Sequence, residues 1–331
     1  MTAVHAPVLI TGAAGFAGSH LLDLLEPGER PIVAWRRPGE SLPPPPTGTR
    51  CRWVELDILD AGVVRRAVED ARPAFVYHLA GIAHVGSSWD RTLRTLEVNV
   101  LGTYHLLSAL AGIACPARVL VSGSALVYRD QDRAIGENDP IGPGSPYGVS
   151  KLAQEMTGTH AAAELGLPVL VTRSFNHIGP RQDPSFFASS VARQVARIEQ
   201  GLSAPVLEVG NLDGRRDLTD VRDTVRAYQA IVERGTAGGV YNVCAGQAYR
   251  IGDILEGLLS RAQTKIEVRR DPARYRPHDS PLVLGDRSRL TNELGWTPRI
   301  PIEETLTDLL EYWRQTVRAT LVGEGPTVST S

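Results

Sequence analysis

The chain has 331 residues, 42% of them hydrophobic, with 35 Lys and Arg against 37 Asp and Glu and a net charge of −2. That length buries one large core or two smaller ones; the charge balance leaves no basic footprint for nucleic acid; and no run approaches the ~18 apolar residues of a membrane span. Residues 1–7 show no secretory signal, and three scattered cysteines, Cys51, Cys115 and Cys244, form neither a disulfide framework nor a metal-ligand spacing. A cytoplasmic protein is expected, with no metal, nucleic-acid partner or membrane association.

Val8–Thr11 is a short apolar strand that runs directly into Gly12-Ala13-Ala14-Gly15-Phe16-Ala17-Gly18 and then into the helical pattern of Leu21, Leu22, Leu24 and Leu25. Strand, glycine turn and helix make a dinucleotide site. Glycines allow the tight turn and close backbone approach, and the helix N-terminus offers free N–H groups and a positive dipole end to a pyrophosphate. Gly12, Gly15, Phe16, Ala17 and Gly18 are therefore candidate cofactor contacts. The next strand, Pro31–Trp35, ends in Arg36-Arg37 where an acidic residue would bind a ribose 2′-hydroxyl. Two guanidinium groups suit a 2′-phosphate, so NADPH is favoured, with NADH the alternative. The proline run within Ser41–Thr49 excludes a helix interior.

Cys51–Leu56 reads as a third strand, followed by Asp57 and Ile58, a carboxylate and an apolar side chain suited to flanking an adenine. Ala61–Ala71 reads as a helix and Phe75–Leu79 as a fourth strand. Leu79, Ala80 and Gly81 then let a cofactor approach, and His84 in the loop Ile82–Trp89 is a candidate substrate contact. Leu93–Ala111 is a long helical pattern carrying Asn99, a further cofactor candidate. A mid-helix asparagine is ordinarily solvent-facing or bonded to nearby backbone. Val119–Ser122 is the fifth strand; Ser122 is counted with the cofactor contacts, and Ser124 lies just past the strand end, where open α/β sheets place their chemistry.

After the loop Arg129–Gly144 comes Ser145–Glu155, SPYGVSKLAQE. Ser145 and Pro146 suit a helix entry, and Tyr147 and Lys151 then share one helix face. An ammonium beside a phenol stabilises phenolate and lowers the phenol's pKa, which makes an acid/base for carbonyl or alcohol chemistry. Alone, the pair could also be a surface pair. Pro168–Arg173 is a sixth strand, followed by the loop Ser174–Pro180, with Ser174 and Phe175 at the cofactor edge. The alternation of strand and helix implies a parallel sheet covered on both faces. After Pro180 the rhythm changes, with helices at Phe186–Gln200, Ile251–Ala262 and Pro301–Trp313 and short strands at Val206–Val209, Val240–Val243 and Lys265–Arg269. The expected architecture is α/β: a doubly wound, Rossmann-type domain over 1–173 with a returning segment around 215–243, a smaller C-terminal α/β lobe over 174–214 and 244–315, and a disordered tail over 316–331.

Taken together, TGAAGFAG (Thr11–Gly18), Ser124, YGVSK (Tyr147–Lys151), Arg173-Ser174-Phe175-Asn176 with Gly179-Pro180, Arg216-Asp217, Tyr241-Asn242-Val243 and Leu294-Gly295-Trp296 resemble the extended short-chain dehydrogenase/reductases over about residues 8–315. The resemblance implies a Rossmann domain, a C-terminal sugar-nucleotide lobe, Ser124, Tyr147 and Lys151 as catalytic residues, and a homodimer built on the Leu93–Ala111 and Tyr147–Leu165 helices. It also implies Asn176, Arg216 and Arg276 as ligands of the substrate diphosphate or ribose. Arg193 is a further candidate, with a solvated helix face as its alternative. More narrowly, SFNHIGPRQ (174–182), ARQVARIEQG (192–201), LEVGNLDGRRDLTDVRD (207–223), YNVCAGQ (241–247) and DPARYR (271–276) resemble the GDP-4-keto-6-deoxy-D-mannose reductases, and HVGSS (84–88) the related GDP-mannose 4,6-dehydratases. Dehydratases of the family carry an Asp-Glu pair directly after the active-site Ser or Thr. Here Ala125 and Leu126 follow Ser124, and neither can carry a proton, so the resemblance implies 4-keto reduction of a GDP-linked sugar rather than loss of water. Arg129 stands where the family usually has glycine, which implies an altered loop near the site. A related dehydratase, 4-epimerase or 6-deoxytalose-forming reductase, and a non-catalytic dinucleotide sensor, are the alternatives.

Overall fold

The computed structural model describes residues 6–40, 50–84, 86–113, 117–271 and 280–321. Cys115, Arg276, the proline run at 41–49 and residues 322–331 lie outside the described residues. The elements run β1 (Val8–Thr11), α1 (Phe16–Leu25), β2 (Ile32–Arg36), β3 (Cys51–Glu55), α2 (Ala61–Ala71), β4 (Phe75–His78), α3 (Thr92–Leu96), α4 (Gly102–Gly112), β5 (Arg118–Ser124), α5 (Pro146–Leu165) and β6 (Val169–Ser174). The second half continues with β7 (Asn176–Ile178), α6 (Phe187–Glu199), β8 (Val206–Val209), β9 (Arg215–Asp220), α7 (Val221–Arg234), β10 (Val240–Val243), β11 (Ala248–Arg250), α8 (Ile251–Leu259), β12 (Glu267–Arg270), β13 (Leu282–Val283), α9 (Ser288–Leu294) and α10 (Ile302–Leu321).

Seven strands form one parallel sheet in the order β10-β6-β5-β4-β1-β2-β3. The order reverses between β1 and β4, where Thr11 is in register with His78, and ligands of such sheets bind in the crevice beyond the strand ends at that reversal. Neighbouring strand residues point to opposite faces. Ile10 packs with Leu21 and Leu22 of α1 and Tyr228 and Ile231 of α7. Leu9 packs on the other face with Val64 and Val68 of α2 and Leu106 and Leu110 of α4. A separate core joins α6, α8 and α10 through Val195, Leu255, Leu258, Leu309 and Trp313. Around it lie a four-stranded sheet, with β9 flanked by β11 and β13 and also paired with β7, and the β8–β12 pair. No helix of the described residues is long and apolar enough to cross a membrane.

The structure departs from the expected division into domains in three places. Only α7 and β10 of the returning segment join the large sheet; β9 pairs with β7, β11 and β13 instead. A buried parallel strand reads as an apolar run. Val240–Val243 meets that demand beside β6, whereas Arg215 and Arg216 do not. The segment after β13 also returns, since Leu290, Leu294 and Trp296 pack with the β1 core. Finally, residues 316–321 are helix rather than tail, because Val317 lies one turn beyond Trp313 in the same buried row.

Candidate active site

At the β1–α1 turn Gly12 has φ +65°, and a Cβ there would lie 2.8 Å from the Ala80 backbone. A Cβ on Gly18 would lie 2.2 Å from the Gly12 carbonyl, so these two glycines let α1 start against the sheet. Gly15 caps α1 with no side-chain bond, and its first N–H groups are left for a ligand. This turn, with Ala80 and Gly81 facing it across the crevice, fits the pyrophosphate of a dinucleotide. Arg36 at the end of β2 pairs with Glu55 at 2.8 Å and donates to the Glu40 carbonyl at 2.5 Å, while Arg37 is exposed beside it. Asp57 is exposed, accepts from Leu59 N at 3.0 Å and lies 3.8 Å from Arg94. Ile58 is buried against Gly102.

The catalytic candidates converge. Ser124 ends β5, caps the following turn by accepting from Leu126 N at 3.2 Å, and its hydroxyl lies near Tyr147 in the first turn of α5, where it favours the phenolate. Ser145 caps α5 by accepting from Gly148 N at 3.1 Å, with Pro146 in the first turn, as the sequence pattern requires. Tyr147 is buried, and burial pushes its pKa up to about 12 against the opposing effect of the Ser124 hydroxyl. The net lowering expected of the Tyr147–Lys151 pair is not seen, because burial dominates. The ammonium sits 5.9 Å from the Tyr147 ring centroid and donates to the Ser122 carbonyl at 2.9 Å and to Gln154 Oε1 at 2.8 Å. Burial brings Lys151 itself down to about 8.

Asn99 is wholly buried rather than solvent-facing. The chain from α3 to α4 passes through a π-helical turn, Glu97–Leu101, which turns Asn99 inward. Its amide accepts from Ile82 N at 2.8 Å and donates to Ile82 O at 3.2 Å and to Ser150 Oγ at 2.9 Å, tying the loop after β4 to α5. Ser174 and Phe175 are also spent on packing: Ser174 Oγ bonds Tyr228 at 2.8 Å, and Phe175 packs on Tyr128.

The substrate candidates sit on separate elements. His84 meets Phe186, at the start of α6, with ring centroids 5.6 Å apart. Asn176 is exposed on β7. Arg193 lies over Trp313 at 5.7 Å, and Arg216 donates to the Arg215 and Ser280 carbonyls at 2.9 and 2.7 Å. Three arrangements join residues whose pairing the motifs do not show. Arg173 makes a two-pronged buried pair with Glu155 of α5 at 2.6 and 2.9 Å and donates to Tyr128 and the Glu137 carbonyl at 2.9 Å. His20 of α1 donates to the Pro180 carbonyl and accepts from Arg181, each at 2.8 Å, which clasps the cofactor helix to the turn after β7. Burial first, and then the Arg181 charge, bring His20 down to about 4 and keep it neutral. Gln154, Thr103 and His78 line up behind Lys151. For Gln154 the one available signal was its position three residues after Lys151, on the same helix face.

The family model of GDP-mannose 4,6 dehydratase matches residues 9–309. The chain is 39% identical to the GDP-6-deoxy-D-mannose reductase of Pseudomonas aeruginosa over 314 residues, 94% of this chain and 98% of that one. Among solved structures, RMD from Pseudomonas aeruginosa complexed with NADPH superposes with a TM-score of 0.80 at 36% identity, covering 93% of this chain and 99% of that one. MoeE5 in complex with UDP-glucuronic acid and NAD superposes with a TM-score of 0.83 at 32% identity, covering 93% and 99%.

Proposed function

The chain belongs to the GDP-mannose 4,6-dehydratase family of extended short-chain dehydrogenase/reductases, and from that premise we propose that it reduces the 4-keto group of a GDP-linked 6-deoxyhexose with NADPH, converting GDP-4-keto-6-deoxy-D-mannose to GDP-D-rhamnose. The observation that carries the reading is the Ser124–Tyr147 couple above Lys151, with the non-ionisable Ala125 and Leu126 next in the chain. Such a site can deliver one proton to a carbonyl oxygen. It lacks the adjacent acid/base pair for removing water.

When bound, a reduced nicotinamide would supply the hydride for carbon 4 of the sugar. Ser124 holds the carbonyl oxygen and stabilises its developing charge. Tyr147 gives that oxygen its proton. A phenol held near 12 is fully protonated at neutral pH, and an alkoxide is a stronger base than a phenolate, so the transfer runs toward product. Lys151 stabilises the phenolate that remains. Gly12 to Gly18 receive the pyrophosphate, Arg36 and Arg37 the 2′-phosphate, and Asp57 and Ile58 flank the adenine. Asn176, Arg193, Arg216 and Arg276 are assigned to the sugar nucleotide and His84 to the hexose; Arg suits a diphosphate because its fork binds two oxygens at once. A homodimer through α3–α4 and α5 would cover Leu93, Leu101, Tyr104, Val149 and Met156, which are exposed in the single chain.

The test supplies the purified protein with GDP-4-keto-6-deoxy-D-mannose and NADPH. Oxidation of NADPH should accompany formation of GDP-D-rhamnose, identified by NMR. Persistence of the keto sugar would sink the reading, and a 6-deoxytalose product would replace its stereochemical part.

A further inference from the structure

Behind Lys151 runs a buried chain of hydrogen bonds that reaches back to the cofactor turn. Gln154, wholly buried, accepts from Lys151 Nζ at 2.8 Å through Oε1 and donates from Nε2 to Thr103 Oγ1 at 2.9 Å. Thr103 spends its single proton on the Asn99 carbonyl at 2.7 Å. Both of its lone pairs are therefore acceptors, one for Gln154 and one for His78 Nε2 at 2.8 Å. The His78 proton must then sit on Nε2. Nδ1 is left to accept from Thr11 Oγ1 at 2.8 Å, and Thr11 in turn accepts from Ala80 N at 3.1 Å. A single proton assignment satisfies every bond. It requires neutral His78, and burial, followed by the Lys151 charge, brings that group down to about 3. It also fixes which end of the Gln154 amide faces Lys151, since Thr103 has no proton left to give and an ammonium cannot accept.

An ammonium has three N–H bonds. Lys151 spends two, on Ser122 and Gln154, and the third meets no acceptor among the described residues; Gly81 lies beside it, where a Cβ would be in ordinary contact with Nζ at 3.6 Å. The groups around Lys151 are Tyr147 and Gln154 on α5, Ser122 on β5 and neutral His78 on β4, with Tyr228 of α7 facing Tyr147; Lys151 forms no ion pair among the described residues. With no carboxylate to hold its charge or orientation, both depend on these two acceptors.

We propose that Gln154 is a positioning residue: backed by Thr103 and His78, it holds the Lys151 ammonium so that one N–H is kept for the nicotinamide cofactor. The inference rests on the reading of the site as a nicotinamide-dependent reductase, and its test is binding, which needs no sugar. NADPH affinity is measured by fluorescence titration across pH for the native chain, Gln154→Met, which nearly keeps volume while removing the acceptor, and Gln154→Glu, which restores one. The methionine variant should bind NADPH about tenfold more weakly, and the pH at which affinity falls away should drop by about one unit. The glutamate variant should recover affinity and move that pH upward. In turnover, the alkaline limb of kcat should move with it. Native affinity and a native pH limb in a Gln154→Met protein that melts like the native chain would overturn the proposal. If that variant does not fold, Thr103→Val carries the test: a downward-shifted limb supports the proposal and an unmoved limb overturns it. A chain that binds NADPH in this pattern yet turns over no keto sugar would refute the substrate and leave the role of Gln154 standing.

Discussion

Two cations are buried on the same side of α5, and they are treated in opposite ways. Arg173 has a carboxylate partner: its side chain and that of Glu155 are each 8% exposed and joined by two bonds. Burial lowers the Arg173 pKa, but the bonds to Glu155 and Tyr128 outweigh it and hold it above the usual arginine range. Lys151, 6% exposed, has two neutral acceptors, and burial alone brings it down to about 8. A paired charge is inert and ties elements together, here β6, α5 and the loop through Tyr128 and Glu137. An unpaired buried charge costs stability and persists where a ligand or a reaction uses it. The contrast separates the part of this helix that builds the fold from the part to which the chemistry is assigned.

The largest expected effect lies at the chemical end. Tyr147→Phe keeps the buried ring and removes only the proton donor, so turnover should fall by about 10²–10⁴-fold while the melting temperature stays near native. Turnover of keto sugar at the native rate would break the assignment of Tyr147 as the acid. At the structural end, Glu155→Gln leaves a buried guanidinium unpaired and should lower stability by about 3–5 kcal/mol, read as a fall in the denaturation midpoint. Glu155→Met combined with Arg173→Met should recover most of that loss, because the pair contributes little beyond a packed apolar replacement. If the double variant were as unstable as the single one, Arg173 would have a role beyond its pairing.

Lys151 gives the same comparison a pH signature of the opposite kind. Its pKa is about 8 in the folded chain and about 10.4 in an unfolded one. Between these values the unfolded state holds the extra proton, so the stability contributed by this group rises with pH across that window, by on the order of 3 kcal/mol. Below pH 8 the buried charge is a net penalty. Lys151→Met should remove both the penalty and the slope, leaving an inactive protein more stable than the native chain near neutrality. Denaturation midpoints of the two proteins from pH 7 to 10 should converge as pH rises; parallel curves would show that the ammonium is not strained by burial.

The chemical end was legible in the sequence because its signals are local. Gly12 to Gly18 follow a strand directly, Tyr147 and Lys151 are one helical turn apart, and Ser124 lies at a strand terminus. The supports behind them were not legible. His78 reads as the end of a strand, Thr103 as a helix residue and Gln154 as one more polar side chain, and contacts across 25 and 51 positions carry no sequence period. Asn99 reads as a cofactor candidate within a long helical pattern, but its complete burial is not legible there, because one π turn shifts the helical face without altering composition. The short strands β7, β11 and β13, of two or three residues, are too brief for alternation to show. The pairing of β9 follows from which edge of the large sheet tolerates charge, and that is settled only when Val240–Val243 competes for it.

The smallest expected effect concerns the two arginines at the end of β2, which repeat the paired-against-unpaired contrast at the surface. Arg36 is held by Glu55 and by the Glu40 carbonyl, so moving it onto a 2′-phosphate means giving up an existing partner. Arg37 is exposed; its backbone bonds Glu40 through N–H to carboxylate and carbonyl to N–H, each at 3.1 Å, and among the described residues its guanidinium has no partner. A charge-assisted bond from Arg37 to the phosphate therefore adds to what is there, whereas one from Arg36 substitutes for it. Arg37→Ser should raise the KM for NADPH by about tenfold, the lower end of what a hydrogen bond to a charged group contributes, and leave the KM for NADH unchanged. Arg36→Ser should cost less, because Glu55 is released together with it. A larger loss from Arg36→Ser than from Arg37→Ser would mean that the Glu55 pair orients Arg36 toward the cofactor instead of competing with it.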